Sequence, residues 1–494
     1  MLFNSIDFLI FFPIVVLIYY LIPRKLKYIW LLIASYYFYM SWNAKYVALL
    51  LFSTLITYLS GILLGRSSSL LKKRLIVALS LLANLSVLGF FKYFDFFLHN
   101  LNKILAIVHI RVIDNPFSFL LPVGISFYTF QALSYTLDVY RGKAEPEKNL
   151  LKYALFVSFF PQLVAGPIEK TENLLKQINE SCKKRMFSFD KLVSGFALML
   201  WGFFLKMVIA DRISLFVDGV FGELYRMGTV ETVLAAIAFA IQIYGDFAGY
   251  STIAVGAARM MGFELTDNFN APYFADSVGD FWRRWHISLS AWFRDYLYIP
   301  LGGNRKGKLR KYCNLMITFS VSGLWHGAAW TYIIWGGIHG LYQIIGDLLK
   351  PLREKAVDLL KIKTDVFSYR FGKVITTFAL VDLAWVFFRA ESIKQAGLFF
   401  NRMFTRFNPW VLFDDSLFLY GINQKEWGIL AAALLVLFVV DLLRYRKHIN
   451  IGDFLLRQNL WFRYAALFLL IVSVLVYGEY GIHFDSRQFI YFQF

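Results

Sequence analysis

Apolar runs close to twenty residues long recur from one end of this 494-residue chain to the other, and they constrain its fold more than any other feature. A helix crosses the hydrocarbon core with about 20 mostly apolar residues. Inside that core only helices or closed barrels satisfy their own backbone. The runs are Ile6–Ile22, Tyr28–Met40, Tyr46–Leu64, Leu75–Leu98, Phe117–Leu137, Tyr153–Gly166, Leu192–Ala210, Val233–Gly262, Asn314–Trp325, Ala328–Ile345, Val374–Phe388, Trp427–Leu443 and Tyr464–Tyr477. Charged residues make up 17% of the chain and hydrophobic ones 58%, against about 25% charged in a soluble domain. These figures exclude a disordered chain, a disulfide scaffold and an ordinary soluble enzyme. The expectation is an all-α polytopic membrane protein, one integral domain over residues 1–494.

Lys and Arg outnumber Asp and Glu by 51 to 33, for a net charge of +18. In a soluble chain that excess would point to nucleic acid. Here the basic residues fall between apolar runs, as positive-inside loops require. Ile6–Ile22 has no basic stretch before it and no small-residue cleavage site after it, and Arg24-Lys25-Leu26-Lys27 follows directly. It therefore reads as an uncleaved first span with the N-terminus outside. Cys182 and Cys313 fit neither a disulfide framework nor a metal-ligand spacing.

Two runs are expected to be broken: Tyr153–Gly166 at Pro161 and Gly166-Pro167, and Asn314–Trp325 at Gly323. Irregular backbone at membrane depth persists only within protein or beside a water-filled cavity. Re-entrant segments around a central cavity fit this pattern better than twelve clean spans.

The densest polar and aromatic stretch is DSVGDFWRRWHISLSAWFRDYLYIPLGGNRKGKLRK, Asp276 to Lys311. Ser277 and Asp280 match a capping box. Phe281, Trp285, Leu289 and Trp292 then follow a helical period, which predicts one amphipathic interfacial helix with snorkelling arginines. His286 beside that stripe is not explained by it. Arg305, Lys306, Lys308, Arg310 and Lys311 form a basic cluster, read either as a positive-inside loop against anionic lipid or as a docking surface for a phosphate-bearing donor. In the stretch SGLWHGAAWTYIIWGGIHG, His326 sits within an apolar segment among small neighbours, where an ionisable group is a functional-site hypothesis by default. His339 lies thirteen residues further on, about 220° round a continuous helix, and reads as structural. His99, His109, His448 and His483 fall at segment ends and are assigned no role.

His286 and His326 lack the carboxylate or thiol partners of a metal site, and no metal is expected. A neutral imidazole kept from water can instead take a proton from a hydroxyl. Asp246 within Val233–Gly262 needs a partner, with His or Arg expected, and Tyr250 and Gln131 are candidates for a cavity wall.

Five ordered segments, PVGISFYTFQALSYTLDVYRG, FFPQLVAGPIEK, YGDFAGYSTIAVGAARMMGF, DFWRRWHISLSAWFRDYLYIPLGG and GLWHGAAWTYIIWGGIHG, resemble the membrane-bound O-acyltransferase (MBOAT) family. They are most similar to its bacterial alginate O-acetyltransferase branch. The motif-bearing core spans about 117–390, with a C-terminal FIYFQF at 489–494. The resemblance implies a ring of about 11–12 transmembrane helices around a tunnel. It implies a cytoplasmic thioester donor, most readily acetyl-CoA, and an extracytoplasmic polysaccharide acceptor. It makes His326 the catalytic histidine and His286 the second family position, with Trp285 and Trp325 beside them. Arg305, Lys306, Lys308 and Arg310 become donor-binding candidates, and Tyr491 a possible acyl relay. An SGNH-type partner outside a bacterial inner membrane would complete the transfer, and no bound cofactor is implied. D-alanyl transfer from a carrier-protein thioester to teichoic acid is the alternative. A lipid or sugar transporter is the alternative from another class, although paired broken helices in two halves, which would favour it, are not evident.

Overall fold

The computed structural model describes residues 1–115, 117, 121–183, 187–480 and 490, and every regular element among them is a helix. Among the described residues, seven helices are long and apolar enough to cross a membrane: 44–66, 70–107, 189–222, 229–260, 367–389, 424–447 and 460–477. The apolar runs thus resolve into these seven and a set of shorter helices. The chain divides into two compact units, Met1–Phe196 with Ile253–Thr266, and Ala197–Thr252 with Asp267–Phe494.

The first unit contains α1 (Ile6–Leu21), α2 (Lys27–Met40), α3 (Val47–Arg66), α4 (Leu70–Leu88), α5 (Phe94–Ile107), α6 (Ile125–Tyr140), α7 (Leu150–Ser158), α8 (Phe160–Leu163), α9 (Thr171–Ser181) and the start of α10 (Phe189–Phe203). A π-helical turn, Gly89–Tyr93, joins α4 to α5. Gly61 lets α3 and α6 approach, because a Cβ there would collide with the Tyr135 ring. Asn149 caps α7 through the N–H groups of Leu151 and Lys152. The break expected in Tyr153–Gly166 is present between α7 and α8, and residues 153–169 are all buried. Protein groups satisfy the backbone there: the Phe160 N–H donates to Ser35 Oγ (3.1 Å) and the Glu169 N–H to Gln131 Oε1 (2.8 Å). This is the condition for irregular backbone at membrane depth.

The second unit takes the end of α10 through a π-helical turn, Phe204–Ala210, into α11 (Asp211–Gly222) and then α12 (Thr229–Met260), whose last turns return to the first unit. There follow α13 (Val278–Arg284), α14 (Ile287–Phe293), α15 (Gly307–His326), α16 (Trp330–Leu348), α17 (Lys350–Leu359), α18 (Phe367–Arg389), α19 (Ile393–Thr405), α20 (Gln424–Lys447), α21 (Ile451–Leu456) and α22 (Leu460–Tyr477). Asn423 and Glu426 close a capping box at the start of α20.

The expected interruption at Gly323 is absent, and α15 runs unbroken to His326. The glycines serve packing instead. A Cβ on Gly323 would meet the Tyr332 carbonyl and one on Gly336 the Phe319 carbonyl, so α15 and α16 lie backbone to backbone. The reversal comes directly after His326, where Gly327 and Ala329 are extended and α16 starts at Trp330.

Candidate active site

The single amphipathic helix expected from Ser277 onward is two helices with a corner between them. Ser277 caps α13 by accepting from the Asp280 N–H (3.2 Å), whereas the Asp280 carboxylate pairs with Arg284 (2.7 Å), so only half of the capping box forms. The helix stops at Arg284, Trp285 is extended, and His286 adopts left-handed backbone (φ 42°, ψ 56°) before α14 begins. A β-carbon in that region is strained, and such residues persist only where their surroundings over-determine them. Asn268 is that surrounding. Its carbonyl accepts from the Ile287 N–H (3.0 Å), and its Oδ1 accepts from the Ser288 N–H (3.2 Å) and the Ser288 hydroxyl (2.7 Å). Its Nδ2 donates to Ser251 Oγ (3.1 Å). The apolar stripe packs into protein: Phe281, Trp285 and Leu289 are buried, as is His286.

The corner turns His286 inward. Its ring meets Phe247 edge-on with centroids 4.6 Å apart, and it lies 6.2 Å from Trp325 and 6.4 Å from His326. His326, the last residue of α15, is enclosed by Trp325 (5.0 Å), Trp335 (5.2 Å) and Phe388 (5.4 Å). Trp335 stacks on Trp385 at 5.4 Å, and Trp385 lies 5.0 Å from Trp285. Such pairs contribute about 0.5–1.5 kcal/mol each beyond the area they bury. The two histidines nominated from sequence therefore share one aromatic wall with Trp285 and Trp325, a low-dielectric place for a proton-accepting imidazole.

His339 is nearer to this wall than a continuous helix would allow, because the chain reverses between it and His326. The Trp282 Nε1–H donates to His339 Nδ1 (3.3 Å), and the His339 ring lies 5.2 Å from the same Trp335 that touches His326. It props the wall from behind.

On α12, Asp246 finds its partner in a lysine, not in His or Arg. Lys206 lies 2.7 Å from Asp246 and 2.6 Å from Asp211, all three buried. Its sequence signal was a lysine inside the apolar run Leu192–Ala210. The Ile490 N–H also donates to Asp246 Oδ2 (2.7 Å). The neighbouring π-helical turn leaves the Met207 carbonyl to accept from the Glu479 N–H (2.9 Å), and Arg212 holds both the Glu479 carboxylate (2.7 Å) and the Tyr477 carbonyl (2.9 Å). Tyr477 at the end of α22 and Glu479 just beyond it are thus tied to the stretch 206–212. Tyr491, the expected relay, lies outside the described residues. Tyr250, one turn beyond Asp246 on α12, is buried. Gln131 belongs to the first unit, where it accepts from Glu169.

Arg305 and Lys306 are exposed in a turn shaped by the positive φ of Gly302 and Gly303, and Lys308 and Arg310 are exposed in the first turn of α15, which opens at Gly307. Lys311 is instead paired with Asp347 (2.9 Å). Lys308 and His326 sit at opposite ends of α15, about 27 Å apart at 1.5 Å per residue. A group docked at the turn needs a long arm to reach the histidine.

The likeness of the chain to known proteins points to one chemistry. A model described as the membrane-bound O-acyltransferase family matches residues 146–388. "Probable alginate O-acetylase AlgI" of Pseudomonas syringae is 40% identical over 417 residues, covering 83% of this chain and 76% of that protein. The protein of the same name from Pseudomonas putida is 39% identical over 449 residues, 90% and 86% of the two chains. The peptidoglycan O-acetyltransferase of Helicobacter pylori is 35% identical over 429 residues, 80% and 78%. With its spanning helices and a relatedness that extends over most of its length, the chain belongs to the membrane-bound O-acyltransferase family and is a multi-pass membrane O-acyltransferase.

Proposed function

We propose that this enzyme takes acetyl from acetyl-CoA and delivers it for O-acetylation of an extracytoplasmic polysaccharide, with His326 as the general base. The juxtaposition of His326 and His286 in one buried aromatic wall carries this reading. The names of its relatives, which describe acetylation of alginate and peptidoglycan, favour acetyl over D-alanyl as the acyl group. His326 removes the proton of an acceptor hydroxyl as its oxygen attacks the thioester carbonyl. Collapse of the tetrahedral intermediate breaks the C–S bond, and the thiolate recovers the proton from the imidazolium. An ester and a thiol result. His286 holds the acyl group or its neighbours in place from across the wall.

Arg305, Lys306, Lys308 and Arg310 meet the phosphates of the donor on the cytoplasmic side of a bacterial inner membrane, the N-terminus lying outside. Coenzyme A does not cross a bilayer, so the acetyl group passes through the protein, with the Tyr491 hydroxyl as its relay to an SGNH-type partner. Transfer of labelled acetyl from acetyl-CoA by purified protein in nanodiscs tests this. Wild type becomes labelled or hydrolyses the donor, and His326→Ala loses about 100-fold or more, the range of general-base catalysis. Tyr491→Phe keeps donor hydrolysis and loses the stable label. Activity retained by His326→Ala refutes the base; label retained by Tyr491→Phe moves the relay elsewhere. Label from a D-alanyl carrier thioester and none from acetyl-CoA overturns the donor.

A further inference from the structure

The second unit also holds an open groove of about 440 Å³ between α20 and α22, lined by none of the residues of the histidine wall. Its floor is Trp201 and Phe204, stacked at 5.3 Å at the end of α10 and the start of the π-helical turn. One side runs along α20 from Val436 to Lys447, the other along α22 from Phe462 to Ser473, and Phe454 of α21 lies at one end. The helices that form it are spans of the membrane class, and on α22 only Leu467 is buried.

Each wall spans twelve residues of helix from its first to its last lining position, about 16 Å along the axis. That is half of a hydrocarbon core of about 30 Å, the depth of a single leaflet. The volume is that of about fifteen water-sized groups at roughly 30 Å³ each, enough for one fatty acyl chain. A groove this apolar does not hold water well. Its polarity is confined to the ends. Lys447 lines the groove where α20 terminates, its Nζ 5.9 Å from the Phe454 ring centroid, with Arg446 and His448 exposed beside it. Arg444, one turn earlier, is instead engaged with Asp267 (2.8 Å). A cation at the end of a leaflet-deep apolar groove matches a phospholipid, with the chain inside and the phosphate at the mouth. It does not match a soluble ligand, which would need polar groups along its length.

We propose that this groove is a binding site for one anionic phospholipid, its acyl chain lying over Trp201 and Phe204 and its phosphate against Lys447. The lipid fills the space that α22 leaves open and fastens that helix to the π-helical turn that also holds Glu479. This site stands apart from the acyl-transfer chemistry, and its test does not depend on turnover.

The test is native mass spectrometry of the full chain, delipidated in detergent and then offered phosphatidylglycerol or phosphatidylcholine. Wild type retains one phosphatidylglycerol in preference to phosphatidylcholine. Ala466→Trp, which fills the groove from a half-buried position on α22, lowers that retention at least tenfold. Lys447→Ala, an exposed change, lowers the preference for phosphatidylglycerol about fivefold, the share of one lysine at an anionic surface, and Lys447→Arg restores it. Equal retention of the two lipids by wild type, no retained lipid, or full retention by Ala466→Trp overturns the proposal.

Discussion

Asn268 gives the sharpest test of how the site is built. Removing its side chain by Asn268→Ala spares the carbonyl that accepts from the Ile287 N–H and deletes the side-chain hydrogen bonds that Asn268 gives the corner. The Ser288 N–H and hydroxyl lose their shared acceptor, and Ser251 loses a donor. All three residues are buried, so the Ser288 N–H is left without a replacement at about 1–3 kcal/mol, while the two hydroxyls can turn to other partners at less cost. The left-handed backbone of His286 adds strain on the order of 1 kcal/mol that the latch no longer opposes. A total near 2–3 kcal/mol makes the corner the first place to relax, and an imidazole misplaced by about 1 Å lowers turnover on the order of 100-fold. The assay is acetyl transfer beside thermal unfolding in the same detergent. Asn268→Ala should fold, melt at lower temperature and lose turnover more than donor affinity. Asn268→Asp, which retains the Oδ1 acceptor, should recover part of the melting loss. Unchanged turnover and melting in Asn268→Ala would refute the view that Asn268 sets His286.

Other consequences follow from the same geometry. Lys206→Met leaves Asp211 and Asp246 buried together without their cation and should cost about 3–5 kcal/mol; Asp246→Asn added to it should restore part of this, read by thermal unfolding. Gly323→Leu drives a side chain into the Tyr332 carbonyl, so α15 and α16 should separate, with loss of monodisperse protein on size-exclusion chromatography. Trp282→Phe removes the donor to His339 Nδ1 and should destabilise by about 1 kcal/mol, with His326-dependent turnover reduced far less than by His326→Ala. Replacing Arg305, Lys306, Lys308 and Arg310 by Gln should raise KM for acetyl-CoA and flatten its salt dependence while leaving kcat near wild type, because these groups lie a helix length from His326.

The residues legible in advance were those whose cost is local. An apolar run of spanning length has few places to go, and an ionisable group within one is expensive wherever its neighbours lie. That local cost brought out His326 among small residues and Asp246 within Val233–Gly262. His286 stood out for the same kind of reason, an imidazole that the Phe281-Trp285-Leu289 stripe does not explain. The break in Tyr153–Gly166 was readable because Pro161 and Gly166-Pro167 disturb a helix in their own vicinity.

What escaped the sequence depended on partners distant in the chain. A period of 3.6 passes straight through Trp285 and His286, and nothing within that stretch announces a corner. The groups that hold it belong to Asn268, some twenty residues upstream. Gly323 looked like a helix breaker because its use, contact with the Tyr332 carbonyl, exists only once α16 has folded back. The same reversal brings His339 to Trp335, and Lys206 reaches Asp246 across forty residues. The sequence alone therefore determined that the chain is a helical membrane protein with buried histidines, since burial and hydrogen bonding in hydrocarbon are demands each segment meets by itself. Only the tertiary structure decided which way those histidines face and which aromatic rings enclose them, because those outcomes rest on contacts that no local pattern encodes.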